Sequence, residues 1–256
     1  MDDLPILDSH AHVWDTTCEI IPDATYRPKY QATTETYLDL LDRHGVERAV
    51  LVQPSFLGTD NRYLLQALAA HPDRLRGIVV LDPEVSRDEM DDLSASGVIG
   101  LRLNMMHSTA PDPGAITAVL EAATELDWWI EVHAQGDSWA RVLPSLPVGA
   151  RVMIDHFGRA SGPDCPGLAA LCELDPENAC VKLSAPYRVP APDLTAIASR
   201  LINHFGAARC LWGSDWPWTQ FEGSHDYGET RDWLATWTTD RERNEMRQSA
   251  EVLCGF

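Results

Sequence analysis

Short apolar runs alternate with helix-like segments along the chain, and this alternation limits the possible folds more than any other feature. Eight runs rich in strand-forming residues lie at positions 6–13, 49–53, 76–81, 98–104, 129–133, 151–156, 179–184 and 209–214. Nearly continuous apolar runs are typical of parallel strands that are buried on both faces of a sheet. The runs therefore predict eight parallel strands.

Segments with helical spacing separate these runs. The segment 34–44 is apolar at Tyr37, Leu38 and Leu41 and ends at Gly45, a residue suited to the end of a helix. A capping box opens a helix at Ser86, and Asp112 followed by a proline opens another that ends at residue 126. Further helices are predicted at 60–71, 138–146, 165–174, 193–205, 227–237 and from 240 to about 252.

Eight strand–helix units in 256 residues predict a (β/α)₈ TIM barrel, an α/β fold, as a single domain over residues 1–256. The alternative is a doubly wound open sheet. No G-x-G-x-x-G motif follows the first run, which favours the barrel.

Composition narrows the class of protein. The formal net charge of −19 argues against nucleic acid or an anionic membrane as a partner. The chain has no membrane-length apolar run and no signal-peptide core near Met1. Its six cysteines form no C-x-x-C pair, as is usual for reduced thiols. We expect a cytoplasmic protein that binds a small molecule, and the oligomeric state stays open, with a homo-oligomer as one option.

Ionisable residues collect at the predicted strand ends. His10 and His12 end the first strand and point the same way because they are two residues apart. His133 ends the fifth strand, His156 the sixth and Asp215 the eighth. Active sites of such barrels lie at the C-terminal ends of the strands. Imidazole and carboxylate are ligands that suit zinc, so the pattern predicts a shared metal or catalytic site.

These strand-end residues resemble the signature of the amidohydrolase superfamily, and the resemblance covers essentially the whole chain. Longer runs are similar to its lactonase branch, which opens pyrone carboxylates and muconolactones. These runs are Gln53-Pro54-Ser55, Gly58-Thr59-Asp60-Asn61, Gly100-Leu101-Arg102-Leu103-Asn104, Asp155-His156-Phe157-Gly158-Arg159 and Leu211-Trp212-Gly213-Ser214-Asp215-Trp216-Pro217.

The resemblance implies a role for each matching residue. Asp215 is implied as general base and proton shuttle, and His156 as an electrophilic or substrate-contacting residue. His10 and His12 are implied as metal ligands or carbonyl-polarising groups. Five residues match positions that line the substrate pocket of the branch: Tyr30, Ser55, Thr59, Arg102 and Arg188. The alternative for Arg102 is an ion pair with an acidic side chain, and for Ser55 and Thr59 the satisfaction of loop backbone groups.

Two departures from the branch bear on the chemistry. His133 stands where the pyrone lactonases, which resemble enzymes that work without metal, have a tyrosine. This histidine restores the metal-dependent pattern, so His10, His12, His133 and Asp215 are expected to hold one divalent ion, with Zn²⁺ as the expected metal. Ser108 stands where the pyrone lactonases have a second arginine. A lactone with one carboxylate or a sulfonate is therefore favoured over a pyrone dicarboxylate.

The sequence thus predicts a metal-dependent lactonase in which a metal-activated water attacks the ring carbonyl of a small anionic substrate. One alternative is a metal-dependent decarboxylase of an aromatic or semialdehyde acid, and another is a sugar-acid lactonase. A third is a barrel that binds its ligand without turning it over.

Overall fold

The computed structural model describes residues 6–106 and 116–256. Eight strands form one sheet in chain order, and each strand pairs in parallel with the next. The strands are β1 Leu7–Ala11, β2 Arg48–Val52, β3 Leu75–Val79, β4 Val98–Asn104, β5 Trp129–His133, β6 Arg151–Ile154, β7 Ala179–Ser184 and β8 Cys210–Gly213.

The chain beyond β8 returns to β1 and nearly closes the sheet. The backbone N–H of Asp215 donates to the carbonyl of His10, and the N–H of His12 donates to the carbonyl of Trp216, both at 2.8 Å. Helices lie between the strands. The predicted (β/α)₈ barrel is therefore confirmed, and the doubly wound alternative is wrong.

The helices of the described residues are α1 Thr34–His44, α2 Arg62–Ala70, α3 Arg87–Ala95, α4 Thr117–Glu125, α5 Trp139–Val142, α6 Pro166–Leu171, α7 Leu194–Phe205, α8 Tyr227–Asp232, α9 Leu234–Trp237 and α10 Asp240–Leu253. Two predicted ends are confirmed. Gly45 takes a left-handed conformation after α1, and Ser86 with Glu89 forms the capping box of α3. The predicted helix start at Asp112 and the substitution at Ser108 lie outside the described residues. No helix within 6–106 or 116–256 has the length and apolar character needed to cross a membrane.

Two predicted helices are interrupted. The segment 138–146 has α-helix only at Trp139–Val142, followed by a 3₁₀ turn at Leu143–Ser145. Pro144 explains the break, because a proline has no N–H to continue the helical ladder. The segment 227–237 is divided into α8 and α9, which meet at Trp233.

Alternation along the strands arranges the barrel interior in layers. Trp129 and Cys180 join an apolar cluster with Leu253 of α10, whose carbonyl accepts a 2.7 Å hydrogen bond from the Trp129 indole. Two residues further along each strand, Glu131 of β5 and Lys182 of β7 form a buried ion pair. Two residues further still, the chain reaches the C-terminal ends of these strands, where the ionisable residues of the predicted site collect.

Candidate active site

Four of the predicted residues converge where β1 meets the segment after β8. The Nε2 atoms of His10 and His12 each lie 3.6 Å from Oδ1 of Asp215, and Nε2 of His156 lies 3.9 Å from the same oxygen. All four residues are buried. The prediction that His10 and His12 point the same way is confirmed. One carboxylate oxygen therefore faces three imidazoles.

The backbone at two of these residues is left-handed. Asp215 has φ of 57° and His156 has φ of 49°. This conformation costs a residue with a side chain about 1–2 kcal/mol, and such strain collects at functional sites. The β6 run was predicted to continue through residue 156, but β6 ends at Ile154 because the chain turns at this point. The turn directs His156 towards Asp215.

The two oxygens of Asp215 have different surroundings. Oδ2 accepts hydrogen bonds from the Tyr187 hydroxyl and from Nε of Arg188, both at 2.6 Å. Burial raises the pKa of Asp215, but the adjacent charge of Arg188 and further hydrogen bonds outweigh burial and hold this pKa well below its usual range. Asp215 is therefore ionised at neutral pH, and Oδ1 is the oxygen that faces the three imidazoles.

The histidines are held by their second ring nitrogens. Nδ1 of His12 lies 2.7 Å from the carbonyl oxygen of Val52. Since a carbonyl can only accept, Nδ1 is the donor, and in the neutral form of the ring Nε2 then carries a lone pair. Nδ1 of His156 lies 2.8 Å from the hydroxyl of Ser184. Burial lowers the pKa of His156 to about 4, so this ring is neutral at pH 7. Both rings are thus fixed in orientation.

His10 lies on top of the charged layer of the barrel. Its Nδ1 is 3.0 Å from Nζ of Lys182 and 3.3 Å from Oδ1 of Asp155. Its Nε2 is buried and has no hydrogen-bond partner within the described chain. Burial lowers the pKa of His10 well below the usual value. The ring is therefore neutral and turns an unused nitrogen towards Asp215.

These donors fit a divalent metal ion. Within the described residues, two groups of three have donor atoms within 4.8 Å of one another: His10, His12 and Asp215 form one, and His10, Asp155 and His156 form the other. The first group brings a lone pair of His12 and an ionised carboxylate oxygen together, an arrangement that a cation stabilises. His133 belongs to neither group. Its role as a metal ligand stays a prediction.

Arg102 lies in a buried ion-pair network. Its Nε is 3.3 Å from Glu131 and its Nη2 is 3.2 Å from Asp155. Lys182 pairs with Glu131 and lies 3.6 Å from Asp155. The ion pair considered for Arg102 from the sequence is therefore observed, while its contact with substrate stays a prediction.

A cavity of about 150 Å³ opens above these residues. Its wall contains seven of the predicted residues: His12, Ser55, Arg102, His133, His156, Arg188 and Asp215. Tyr30 and Thr59 are not part of this wall. The Tyr30 hydroxyl donates to Glu222 at 3.1 Å, and Thr59 is exposed. The substrate-binding roles of these two residues stay predictions.

Several residues of the cavity were not assigned from the sequence. Tyr187 holds Asp215, while Tyr26 and Arg159 line the cavity. Arg159 ends the run Asp155-His156-Phe157-Gly158-Arg159, which resembles the lactonase branch. Its position three residues after His156 was the signal that could have identified it as a site residue. Tyr26 lies in a loop without periodic pattern, which gave no signal.

The fold and this cluster define a class: an α/β-barrel enzyme with a histidine–carboxylate centre at the C-terminal ends of its strands. Residues 7–247 match the family model described as amidohydrolase, so the chain belongs to the amidohydrolase family. The resemblance inferred from the sequence and the prediction of an enzyme are confirmed.

Named relatives agree with this assignment. The chain is 34% identical over 226 residues to a 4-sulfomuconolactone hydrolase of Rhizobium radiobacter, which covers 82% of this chain and 75% of that protein. It is 27% identical over 240 residues to a 2-pyrone-4,6-dicarboxylate hydrolase of Comamonas testosteroni, covering 82% and 76%. A crystal structure of a probable 2-pyrone-4,6-dicarboxylic acid hydrolase from Acinetobacter baumannii with citric acid bound matches with a TM-score of 0.89, 32% identity, and 98% and 99% coverage.

Proposed function

We propose that this protein is a metal-dependent hydrolase that opens the lactone ring of a small anionic substrate. The observation that carries this proposal is the convergence of the ionised Oδ1 of Asp215 with Nε2 of His10 and His12 beside a cavity. The relatives named as hydrolases of sulfomuconolactone and pyrone dicarboxylate support the substrate class.

The charges around the cavity favour an anionic substrate. The chain as a whole carries a formal charge of −19, yet Arg102, Arg159 and Arg188 all line this one cavity. Arginine presents a planar set of donors that matches a carboxylate or a sulfonate. Among the described residues of the cavity wall there are therefore three arginines and one carboxylate, that of Asp215.

The metal would be held by His10, His12 and Asp215, with Zn²⁺ as the expected ion. When bound, such an ion lowers the pKa of a coordinated water and polarises a carbonyl. Nδ1 of His12 donates to the carbonyl of Val52, and Nδ1 of His10 can donate to Oδ1 of Asp155 at 3.3 Å, which is the usual arrangement around metal-binding histidines.

Asp215 moves the proton of the reaction. As a water oxygen adds to the lactone carbonyl carbon, Oδ1 of Asp215 accepts one water proton. The ring C–O bond then breaks, and Asp215 gives this proton to the leaving oxygen. The low pKa of Asp215 favours the second transfer. The product is a ring-opened acid, which releases one proton to solvent at neutral pH.

His156 is placed to stabilise the carbonyl oxygen. Ser184 can donate its hydroxyl hydrogen to Nδ1 of His156, which leaves the hydrogen of the neutral ring on Nε2. That N–H faces the reacting centre and donates to the oxyanion as charge develops. His133 also lines the cavity and is available as a further ligand or donor.

The test is a panel of lactones with acid release followed by a pH indicator, using protein whose metal content has been measured. The panel holds pyrone carboxylates, muconolactones with a carboxylate or a sulfonate, and sugar-acid lactones. We expect turnover of an anionic muconolactone or pyrone, with loss of metal and activity together in His12→Ala. Turnover of sugar lactones alone would identify a sugar-acid lactonase. Release of CO₂ from aromatic acids, without any lactone turnover, would replace the proposal by a decarboxylase.

A further inference from the structure

The three arginines that line the cavity differ in their ion-pair and hydrogen-bond partners. Arg102 is paired with Glu131 and Asp155, and Arg188 with Asp215. Nη2 of Arg188 also donates to the carbonyl and hydroxyl oxygens of Thr219, at 2.9 and 3.1 Å.

Arg159 has no such partner. Across residues 6–106 and 116–256, no carboxylate lies within ion-pair distance of its guanidinium, and its Nε is buried without a hydrogen-bond acceptor. The side chain is half-buried. Burial lowers the pKa of Arg159 and the charge of Arg188 lowers it further, while the charge of Asp215, which lies beyond ion-pair distance, opposes this shift in part. Two cations therefore act on one side of the cavity, and one of them lacks an anion.

The backbone of Arg159 is fixed although its side chain is unpaired. Phe157, Gly158 and Arg159 form a left-handed run, and the Trp139 indole donates to the carbonyl of Gly158 at 2.8 Å. A Cβ on Gly136 would lie 2.6 Å from the carbonyl oxygen of Arg159, so the main chains of these two residues pack directly together. The position of Arg159 on the cavity wall is thus built into the fold.

A half-buried cation without a counter-charge loses hydration and gains no ion pair in return. An anion that enters the cavity supplies the missing charge and the missing acceptor. A carboxylate or sulfonate can accept two hydrogen bonds from one guanidinium, and such charge-assisted bonds are stronger than neutral ones.

We propose that Arg159 is the residue that binds the anionic group of the substrate and so sets the preference for charged lactones. Arg188 and Arg102, which are already paired, position Asp215 and Asp155. This inference rests on the proposed function for the identity of the substrate, but the anion site itself can be tested without turnover.

The probe is isophthalate, a planar dicarboxylate that has no ring ester to hydrolyse. Its binding is measured by titration calorimetry on wild type, Arg159→Gln, Arg159→Lys and the matched control Arg141→Gln, whose arginine is exposed. We expect Arg159→Gln to weaken binding by about 10-fold or more, as removal of a charged hydrogen-bond donor does. Arg159→Lys should recover part of the affinity, and Arg141→Gln should bind as the wild type does.

Kinetics provide the second measurement. For the best anionic lactone, Arg159→Gln should raise KM by about 10-fold with a smaller change in kcat, and the control Arg141→Gln should leave both constants as in the wild type. Circular dichroism establishes that each variant is folded, and Arg159→Lys keeps the test valid if the Gln variant does not fold.

The outcomes separate the two proposals. Absence of isophthalate binding by the wild type, or equal binding by wild type and both Arg159 variants, overturns the role of Arg159. A silent lactone panel with binding that depends on Arg159 overturns the lactonase and leaves the anion site in place.

Discussion

Two charged layers lie one above the other in this barrel, and they are built differently. In the lower layer, two cations, Arg102 and Lys182, lie within 4 Å of two carboxyl groups, Glu131 and Asp155. Burial and the neighbouring charge of Asp155 raise the pKa of Glu131 to about 7. In the upper layer, Asp215 is paired with Arg188, but other polar groups have no partner in the described chain. The atoms of this layer without a hydrogen-bond partner are Nε of Arg159 and Nε2 of His10 and His133. The lower layer also has such atoms, namely Nε of Arg102, Oε1 of Glu131 and Oδ1 of Asp155, but each belongs to a group with an opposite charge within 4 Å, whereas the Arg159 guanidinium has none among the described residues.

From this difference we infer that the lower layer stabilises the barrel and that the upper layer binds the ligand. A buried charge must be paired, so the lower layer keeps its charges only while all four members are present. The upper layer retains unmet donors and acceptors beside an open cavity, and unmet buried groups are costly unless a ligand satisfies them. We therefore expect changes in the lower layer to act on stability and changes in the upper layer to act on binding and turnover.

The largest expected effect is in the upper layer. Asp215→Asn removes the proton acceptor and should lower kcat by about 10³-fold or more, within the range for loss of a general base. Turnover of the best lactone from the panel measures it, with metal content determined in parallel. The control is Asp164→Asn, an exposed carboxylate that should keep full activity. Activity within 10-fold of the wild type would remove Asp215 from the proton transfer.

Substitutions in the lower layer should lower the free energy of unfolding. Lys182→Met leaves Glu131 buried beside Asp155 with less compensation, and breaking a buried pair costs about 3–5 kcal/mol. Urea unfolding at pH 7 measures the free energy. The double variant Lys182→Met with Glu131→Gln should recover much of the loss, because the uncompensated carboxylate is gone.

The matched control is Arg241→Gln, which breaks an exposed helical ion pair with Glu245 at 2.9 Å. Such pairs contribute about 0.5 kcal/mol. A similar decrease in the free energy of unfolding for Lys182→Met and Arg241→Gln would contradict the view that the lower layer stabilises the barrel.

The pH dependence of stability tests the neutral state of the upper-layer histidines. Burial lowers the pKa of His156 to about 4, below that of the unfolded chain at ~6.5. Between these values the unfolded state binds a proton that the folded state does not, so the folded state loses stability as pH falls. The free energy of unfolding of wild type minus that of His156→Gln should fall by about 1.4 kcal/mol per pH unit in this range.

Urea unfolding of both proteins at several pH values from 4 to 8 measures this difference. Above pH 7 the difference should be constant, which serves as an internal control. A difference that stays constant down to pH 4 would mean that His156 is protonated in the folded protein as readily as in the unfolded chain.

The sequence was sufficient for features that depend on local pattern and on barrel geometry. Alternating runs predicted the strands, and strand ends predicted which residues would meet, because parallel strands of a barrel end at one rim. His10, His12 and Asp215 met as expected although more than 200 positions separate the last from the first two.

Other features depend on register and on loop conformation, which local pattern does not determine. Arg102 meets Glu131 because the two are Cα partners between β4 and β5, and the spacing along either strand alone does not give this pairing. The left-handed turn after β6 places Arg159 on the cavity wall, but positive φ at a histidine, a phenylalanine and an arginine has no sequence signature. The pocket-lining role of loop residues such as Tyr30 was inferred from the family resemblance and not from a physical pattern in the sequence.

The smallest expected effect concerns Tyr30, which lies outside both layers. Its hydroxyl donates to Glu222, an acceptor it shares with Tyr26. Tyr30→Phe should lower the free energy of unfolding by about 1 kcal/mol or less, because one partly exposed hydrogen bond is lost. KM for the best lactone should stay within about 3-fold, as measured by steady-state kinetics. Glu222→Gln, which keeps an acceptor for both tyrosines, is the control and should change KM no more. A 10-fold rise in KM for Tyr30→Phe alone would place the Tyr30 hydroxyl on the substrate, as the family resemblance implies, and would extend the binding layer to the loop above the cavity.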